Sequence, residues 1–220
     1  MNVLKKIILA VMLSAGSLIC SAQEINIQGG LNLSEFRYTN GDGVYWLKNV
    51  KLNPGFNAGA MLDVPIKNMF SLATGILLSS KGVKISDDET LEGEYLHREN
   101  LFYFDISVLC KITMPVKKVK IFAMAGPYWG QALSGKSKQG VIVNSVHKEF
   151  EAKIHWGDQY HRFDYGAKTG IGLRYKKYQI GASYEFGFKN LSAASELTRK
   201  NRVLELYISY ALINLKSNKK

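Results

Sequence analysis

Eight ionisable residues set the chemical question. Asp63, Asp105, Lys111, Asp164, Lys168, Arg174, Glu185 and Glu205 each lie in a stretch where polar and apolar residues alternate, on the polar side of the alternation. Charges gathered this way can pair with one another or line a path for a small solute. Pairing is the expectation in a narrow interior, because an unpaired buried charge is expensive. The four histidines, His97, His147, His155 and His161, fall instead in segments that read as loops. Ser145 is near His147, and Asp158 is near His155 and His161. A serine, a histidine and an acid close in sequence do not make a triad, which is defined by geometry. His155 and His161 with Asp158 could hold a metal, but loop residues of this kind are more often just solvated. The chain has no nucleophile elbow, zinc-type HExxH motif, CxxC pair or phosphate loop. The glycines near position 170 match a GxGxxG only in composition, and small inward-facing residues explain them better. The sequence thus assigns no catalytic, no cofactor-binding and no metal-binding residue, and the chain reads as a non-enzyme without a cofactor.

Strands must position these charges. From Phe163 to Phe188 the sequence reads as a long hairpin around Lys176-Lys177. Phe163, Tyr165, Ala167, Thr169, Ile171, Leu173 and Tyr175 share one face, and Asp164, Gly166, Lys168, Gly170, Gly172 and Arg174 share the other. Tyr178, Ile180, Ala182, Tyr184, Phe186 and Phe188 then alternate with Gln179, Gly181, Ser183, Glu185 and Gly187. Successive strand side chains point to opposite faces, so one face of the hairpin is apolar and the other polar and glycine-rich. Both arms reach the length of about 9–11 residues that a tilted strand needs to cross a bilayer. Their aromatic residues gather toward the ends, as interfacial girdles do.

The same alternation recurs along the chain. Its outward members are Ile25 to Leu33, Phe56 to Val64, Phe70 to Leu78, Phe102 to Ile112 and Leu204 to Leu212, taken at every second residue. Val119 to Leu133 alternates less cleanly, with Phe122, Met124, Gly126 and Gly130 on the inward face. The count is about eight strands. The connections alternate long and short: Arg37–Lys48 with its Asn40-Gly41-Asp42-Gly43 turn residues, a tight turn ending at Asn68, an acidic loop from Ser86 to Arg98, and a tight turn at Lys117-Lys118. Ser134–Tyr160 follows, where Val141 and Val143 could extend a hairpin above a membrane, then Lys176-Lys177 and Leu191–Asn201. Outer-membrane barrels have this asymmetry, with short periplasmic turns and longer outer loops. Closure has a simple cause: in hydrocarbon every backbone N–H and C=O must be paired, and only a closed sheet has no edge. The expected fold is all-β, an eight-stranded antiparallel transmembrane β-barrel, an up-and-down meander preceded by a cleavable signal peptide.

Composition agrees. Lys5 and Lys6, the apolar run Ile7–Ile19 and the small residues Ser21-Ala22 read as an export signal spanning 1–22, leaving a barrel domain of 23–220. A lipoprotein signal at Cys20 competes, but Ile19 is bulky for that role. Beyond the signal only Cys110 remains, on an apolar face, so no internal disulfide can form and the residue reads as a small hydrophobe. The formal net charge is +11, and loss of Lys5 and Lys6 leaves +9. An exported basic protein meets lipopolysaccharide phosphates and anionic headgroups rather than nucleic acid. Eight strands leave room for side chains or one small ligand, whereas water-filled porins need about 16–18, so a wide conducting pore is not expected.

Several short stretches together resemble the PorT-like outer-membrane β-barrel family. They are Gly29-Gly30-Leu31-Asn32-Leu33-Ser34, Pro54-Gly55-Phe56-Asn57-Ala58-Gly59, Thr74-Gly75-Ile76-Leu77 with Lys81-Gly82, Ala125-Gly126-Pro127-Tyr128, Gly170-Ile171-Gly172-Leu173 and the closing strand. The resemblance implies an eight-stranded barrel in the outer membrane of a diderm bacterium, in a family labelled porin-like. Such barrels usually end on an aromatic residue, whereas this chain continues past Tyr210 with Ala-Leu-Ile-Asn-Leu and a basic tail. The expected function is a structural or interaction role in the envelope, with outer-membrane lipids, lipopolysaccharide and envelope proteins as partners. Two alternatives stay open: a barrel enzyme acting on envelope lipids or peptides, and a subunit of an envelope secretion machine.

Overall fold

The alternation closes into a ring. The structure, a computed structural model, describes residues 24–39, 50–90, 93–143, 146–158, 160–193 and 197–214. They form ten strands: β1 (Glu24–Thr39), β2 (Val50–Lys51), β3 (Asn53–Lys67), β4 (Phe70–Thr90), β5 (Gly93–Val116), β6 (Val119–Val143), β7 (Val146–Lys153), β8 (Phe163–Tyr175), β9 (Tyr178–Gly187) and β10 (Thr198–Asn214). Eight of them make an antiparallel barrel in the order β1, β3, β4, β5, β6, β8, β9, β10, and β10 pairs with β1 to close it. The short β2 pairs with β4, and β7 pairs with β6, both at the end opposite the tight turns. No helix among the described residues is long and apolar enough to cross a membrane.

The faces fall as the period of two requires. Ile27, Leu31, Phe56, Ile76, Ile106, Ile171, Ile180 and Ile208 point outward, and Asn26, Asn32, Asn57, Ser79, Asp105, Lys168, Ser183 and Glu205 are buried inside. Cys110 is on the outer wall. Small residues inside make room for large ones across the lumen: a Cβ at Gly181 would lie 2.5 Å from the Tyr207 hydroxyl, and one at Gly130 would lie 2.6 Å from Asp105 Oδ1. Phe122 and Met124 are buried inward, as read for the least regular strand.

The three tight turns each put their first residue at positive φ: Asn68 at 48°, Lys117 at 54° and Lys176 at 52°. Hairpin turns that match strand twist require such a conformation. They mark the end that faces the periplasm in outer-membrane barrels.

The strands are longer than the membrane-spanning pattern suggested. Ser86–Arg98, expected as a long loop, is instead mostly ladder: β4 and β5 stay paired through Ser86↔Leu96 and Asp87↔Tyr95 to Thr90↔Gly93. Beyond the bilayer the outer face of a strand meets water rather than lipid, so a continuing strand need not show polar–apolar alternation. The connection Ser134–Tyr160 is likewise mostly hairpin, β6 with β7, as Val141 and Val143 hinted. Thr198–Asn201, placed in a connection, begins β10. Asn40-Gly41-Asp42-Gly43, Ser145 and the signal segment 1–22 lie outside the described residues.

Candidate functional site

The lumen is filled in layers, and the eight charges named above are distributed among them. At its centre, alternating acids and bases form a chain across the barrel. Lys81 Nζ lies 2.8 Å from Asp105 Oδ2 and 2.6 Å from Glu185 Oε2. Lys168 Nζ lies 3.2 Å from Glu185 Oε1 and 2.6 Å from Glu205 Oε2. The sequence Asp105–Lys81–Glu185–Lys168–Glu205 thus ties β5, β4, β9, β8 and β10 together, with every side chain at most 4% exposed. The Ser183 hydroxyl donates to Glu205 Oε2 at 2.9 Å. The Lys81 ammonium also lies 5.2 and 5.1 Å from the ring centres of Tyr103 and Tyr128, within cation–π range. Asp164 is held differently: the Tyr128 hydroxyl (3.0 Å) and the Asn201 amide (2.7 Å) both donate to its Oδ2.

An apolar layer lies on the tight-turn side of this network. Met61, Ala73, Leu109, Phe122, Met124 and Tyr207 pack together there. Below it opens a vestibule of about 190 Å³ lined by Glu24, Asp63, Lys111 and Arg174 among others. Lys111 Nζ lies 2.8 Å from Asp63 Oδ2, donates to Gln179 Oε1 at 3.1 Å, and sits 4.4 Å from the Phe122 ring centre. Arg174 pairs with Glu24.

On the opposite side, toward the outer end, a second apolar cluster caps the network. Phe36, Tyr38, Val83, Leu101, Tyr103, Ala132, Ile154, Tyr160 and Leu191 form it, and the last three come from the connections between strands. Tyr160 donates its hydroxyl to Glu99, and His97 Nε2 lies 3.0 Å from the other Glu99 oxygen. Burial alone would raise the Glu99 carboxyl, but these hydrogen bonds outweigh it and hold the group below its ordinary value. Burial beside that carboxylate raises the Tyr160 phenol well above its ordinary value. The Arg199 guanidinium lies 4.9 Å from the Tyr160 ring centre.

All eight sequence-derived charges therefore face the lumen, and among the described residues all but Asp164 have an ion-pair partner there. Lys81, Glu24 and Glu99 were missed. Each shares the parity of an inward row already recognised, one or two steps past where the row was ended. The histidines do not converge on a comparable site: His97 bonds Glu99 inside the cap, while His155 and His161 are exposed at the rim, as is Asp158. Among the described residues no group of three His, Cys, Asp or Glu side chains is placed to hold a metal ion. This interior can brace the wall and exclude solute; it offers no open path through the middle of the barrel.

Comparison with known proteins places the architecture. No curated protein sequence matches the chain. Among solved structures, the chain is similar to Ail, the attachment invasion locus protein of Yersinia pestis, solved with the heparin analogue sucrose octasulfate (17% identity, 86% of this chain and 98% of that one, TM-score 0.41). It is similar to the Neisserial surface protein A (10% identity, 84% and 96%, TM-score 0.43). It is also similar to the outer membrane protein OprG of Pseudomonas aeruginosa (9% identity, 88% and 97%, TM-score 0.47). The family model described as outer membrane protein beta-barrel domain matches residues 21–193. The chain belongs to that family, and it is a small outer-membrane β-barrel of a Gram-negative envelope.

Proposed function

We propose that this barrel is a closed, non-catalytic platform that presents its outer strand extensions to the envelope, and that it is of the PorT-like subtype. The observation that supports a closed platform is the five-residue charge chain from Asp105 to Glu205, buried between two apolar layers. A conducting lumen would need water where Lys81, Tyr103 and Tyr128 now meet. The motifs Gly29–Ser34, Pro54–Gly59 and Ala125–Tyr128 support the subtype, and with it the reading as a component of an envelope assembly. Lipopolysaccharide and envelope proteins are the partners that the basic, exported chain suits. Residues 1–22 serve as the export signal in this reading, and the barrel works without metal or cofactor.

Planar-bilayer recording of the refolded protein tests the proposal. The expected trace is flat at moderate voltage, with only rare transient events. Steady ohmic conductance would overturn it. Folding is checked on the same sample by gel mobility, which should shift on boiling as a compact barrel unfolds.

A further inference from the structure

Strand β6 changes the side to which its alternation points. Opposite it, Phe102 pairs with Ser134 but Tyr103 pairs with Ala132, so Leu133 is an extra residue, a β-bulge. Before the bulge the even-numbered residues Phe122, Met124, Tyr128 and Ala132 are buried inside; after it Ser134, Lys136 and Lys138 are exposed. Without the inserted residue those two lysines would share the parity of the lumen-facing row. The bulge instead delivers them to the outer wall.

Neighbouring strands add to the charge there. Lys136 lies opposite Lys153 on β7, and Lys138 lies opposite Arg98 on β5, which in turn lies opposite Lys84 on β4. Like charges directly opposite across a ladder cost stability, so this arrangement calls for an anion. Glu151 answers part of the need, with its carboxylate 2.7 Å from Lys136 Nζ and 3.2 Å from Lys138 Nζ. Glu149 is exposed on β7 one step farther out. Arg98 turns away, donating from Nε to Asn53 Oδ1 at 2.7 Å. What remains is a groove of about 350 Å³ lined by Lys136, Lys138 and Lys153 together with Ser80, Asn100 and Phe102.

The lower edge of the groove decides what fits. Phe102 and Phe56, with ring centres 6.0 Å apart, stand at the outer limit of the apolar wall. The groove thus runs from cationic rim onto lipid-facing surface. An occupant that satisfies both ends carries phosphate above and acyl chain below. We infer that this groove binds a phosphorylated lipid of the outer leaflet, its phosphate among Lys136, Lys138 and Lys153 and its chain beside Phe102. The inference rests on the reading of the barrel as an envelope-interaction protein and names the lipid contact and where it forms.

The test uses the refolded barrel in phosphatidylcholine nanodiscs doped with a bis-phosphorylated acyl glucosamine disaccharide, with retained lipid counted by native mass spectrometry. Wild type should keep the phosphorylated lipid in preference to the same lipid with its phosphates removed. The triple variant Lys136→Gln, Lys138→Gln, Lys153→Gln should lose at least about tenfold in retention, since each surface lysine contributes appreciably to anionic-lipid attraction. Glu151→Gln, which frees two lysines, should raise retention. Boiling-dependent gel mobility confirms that each variant is folded. Equal retention by wild type and triple variant, no preference for phosphate, or no gain in Glu151→Gln overturns the inference. So does competition by soluble sulfated or phosphorylated oligosaccharide at equal molar concentration, which would mean a soluble polyanion site. None of these outcomes depends on whether the lumen conducts, so failure here is distinct from failure of the closed-platform reading.

Discussion

Two levels of the same lumen use the same chemistry in different surroundings. At the centre, Lys81 is fully buried between Asp105 and Glu185. In the vestibule, Lys111 meets Asp63 at the same 2.8 Å that separates Lys81 from Asp105, but Asp63 is 14% exposed and opens onto a cavity. The distance alone says nothing about how much each pair matters. Removing one partner of a dry pair strands the other charge, while water can take the place of a lost partner beside a cavity. The central network is where the wall depends on its contents; the vestibule is where it tolerates change.

Substituting the lysine at each level is the sharpest way to break this comparison. Lys81→Met leaves Asp105 without its cation and removes one of two from Glu185. The expected loss is about 3–5 kcal/mol, as for other broken buried pairs. It is read from the urea midpoint of the barrel in detergent micelles. Adding Asp105→Leu removes the stranded acid and should restore more than half of that loss. Lys111→Met should cost about 1–2 kcal/mol, because Asp63 can be hydrated and only one buried hydrogen bond, to Gln179, is lost. Equal losses at the two positions would mean that the centre is wetter than its burial implies.

The outer cap adds a titration that neither level of the lumen requires. Glu99 is held below its ordinary value by its hydrogen bonds from His97 and Tyr160, against the effect of burial. The folded protein therefore binds this proton less readily than the unfolded chain. Its contribution is fully present above the unfolded value of about 4.3 and is lost as pH falls through the lower folded value. Tyr160→Phe removes one donor and should cost about 2 kcal/mol at pH 7, the usual scale for a hydrogen bond to a charged group. Urea titrations should show that gap closing as pH falls below about 4. A gap that persists unchanged in acid would mean that what the Tyr160 hydroxyl contributes does not depend on the charge of Glu99.

How much of this was legible in the sequence follows from where the two faces of a strand differ. Inside the bilayer one face meets lipid and the other the lumen, so Asp105, Lys168, Glu185 and Glu205 announce themselves by parity alone. Past the bilayer the outer face becomes polar and the contrast fades. Lys81 continues the row Ser71, Ala73, Gly75, Leu77 and Ser79, and Glu99 continues the row that leads to Tyr103 and Asp105, yet both lie beyond the recognised ends of their strands. Leu191 and Tyr160 were hidden for another reason. They reach the cap from irregular connections, where no period relates a residue to the lumen; only their size and apolarity set them apart. The bulge at Leu133 could not be read locally either, since it is defined by what β5 places opposite.

The smallest effects are expected at the tight-turn end, and they bear on whether the vestibule contributes to stability at all. Arg174→Ala removes the pair with Glu24 at the mouth and should cost about 1 kcal/mol or less, since both groups keep some access to water. At the turns themselves the sign reverses. Lys117 and Lys176 adopt positive φ, at 54° and 52°, a conformation that costs an L-residue roughly 1–2 kcal/mol. Glycine removes that cost but makes the unfolded chain more flexible by about 0.4–1 kcal/mol. Lys117→Gly and Lys176→Gly should therefore raise the urea midpoint slightly, each by no more than about 1 kcal/mol. Asn68→Gly should gain less than either, because asparagine already tolerates this conformation. If the lysine replacements destabilise instead, the turn lysines are anchoring the mouth through their side chains, and the vestibule is more tightly built than its pairs suggest.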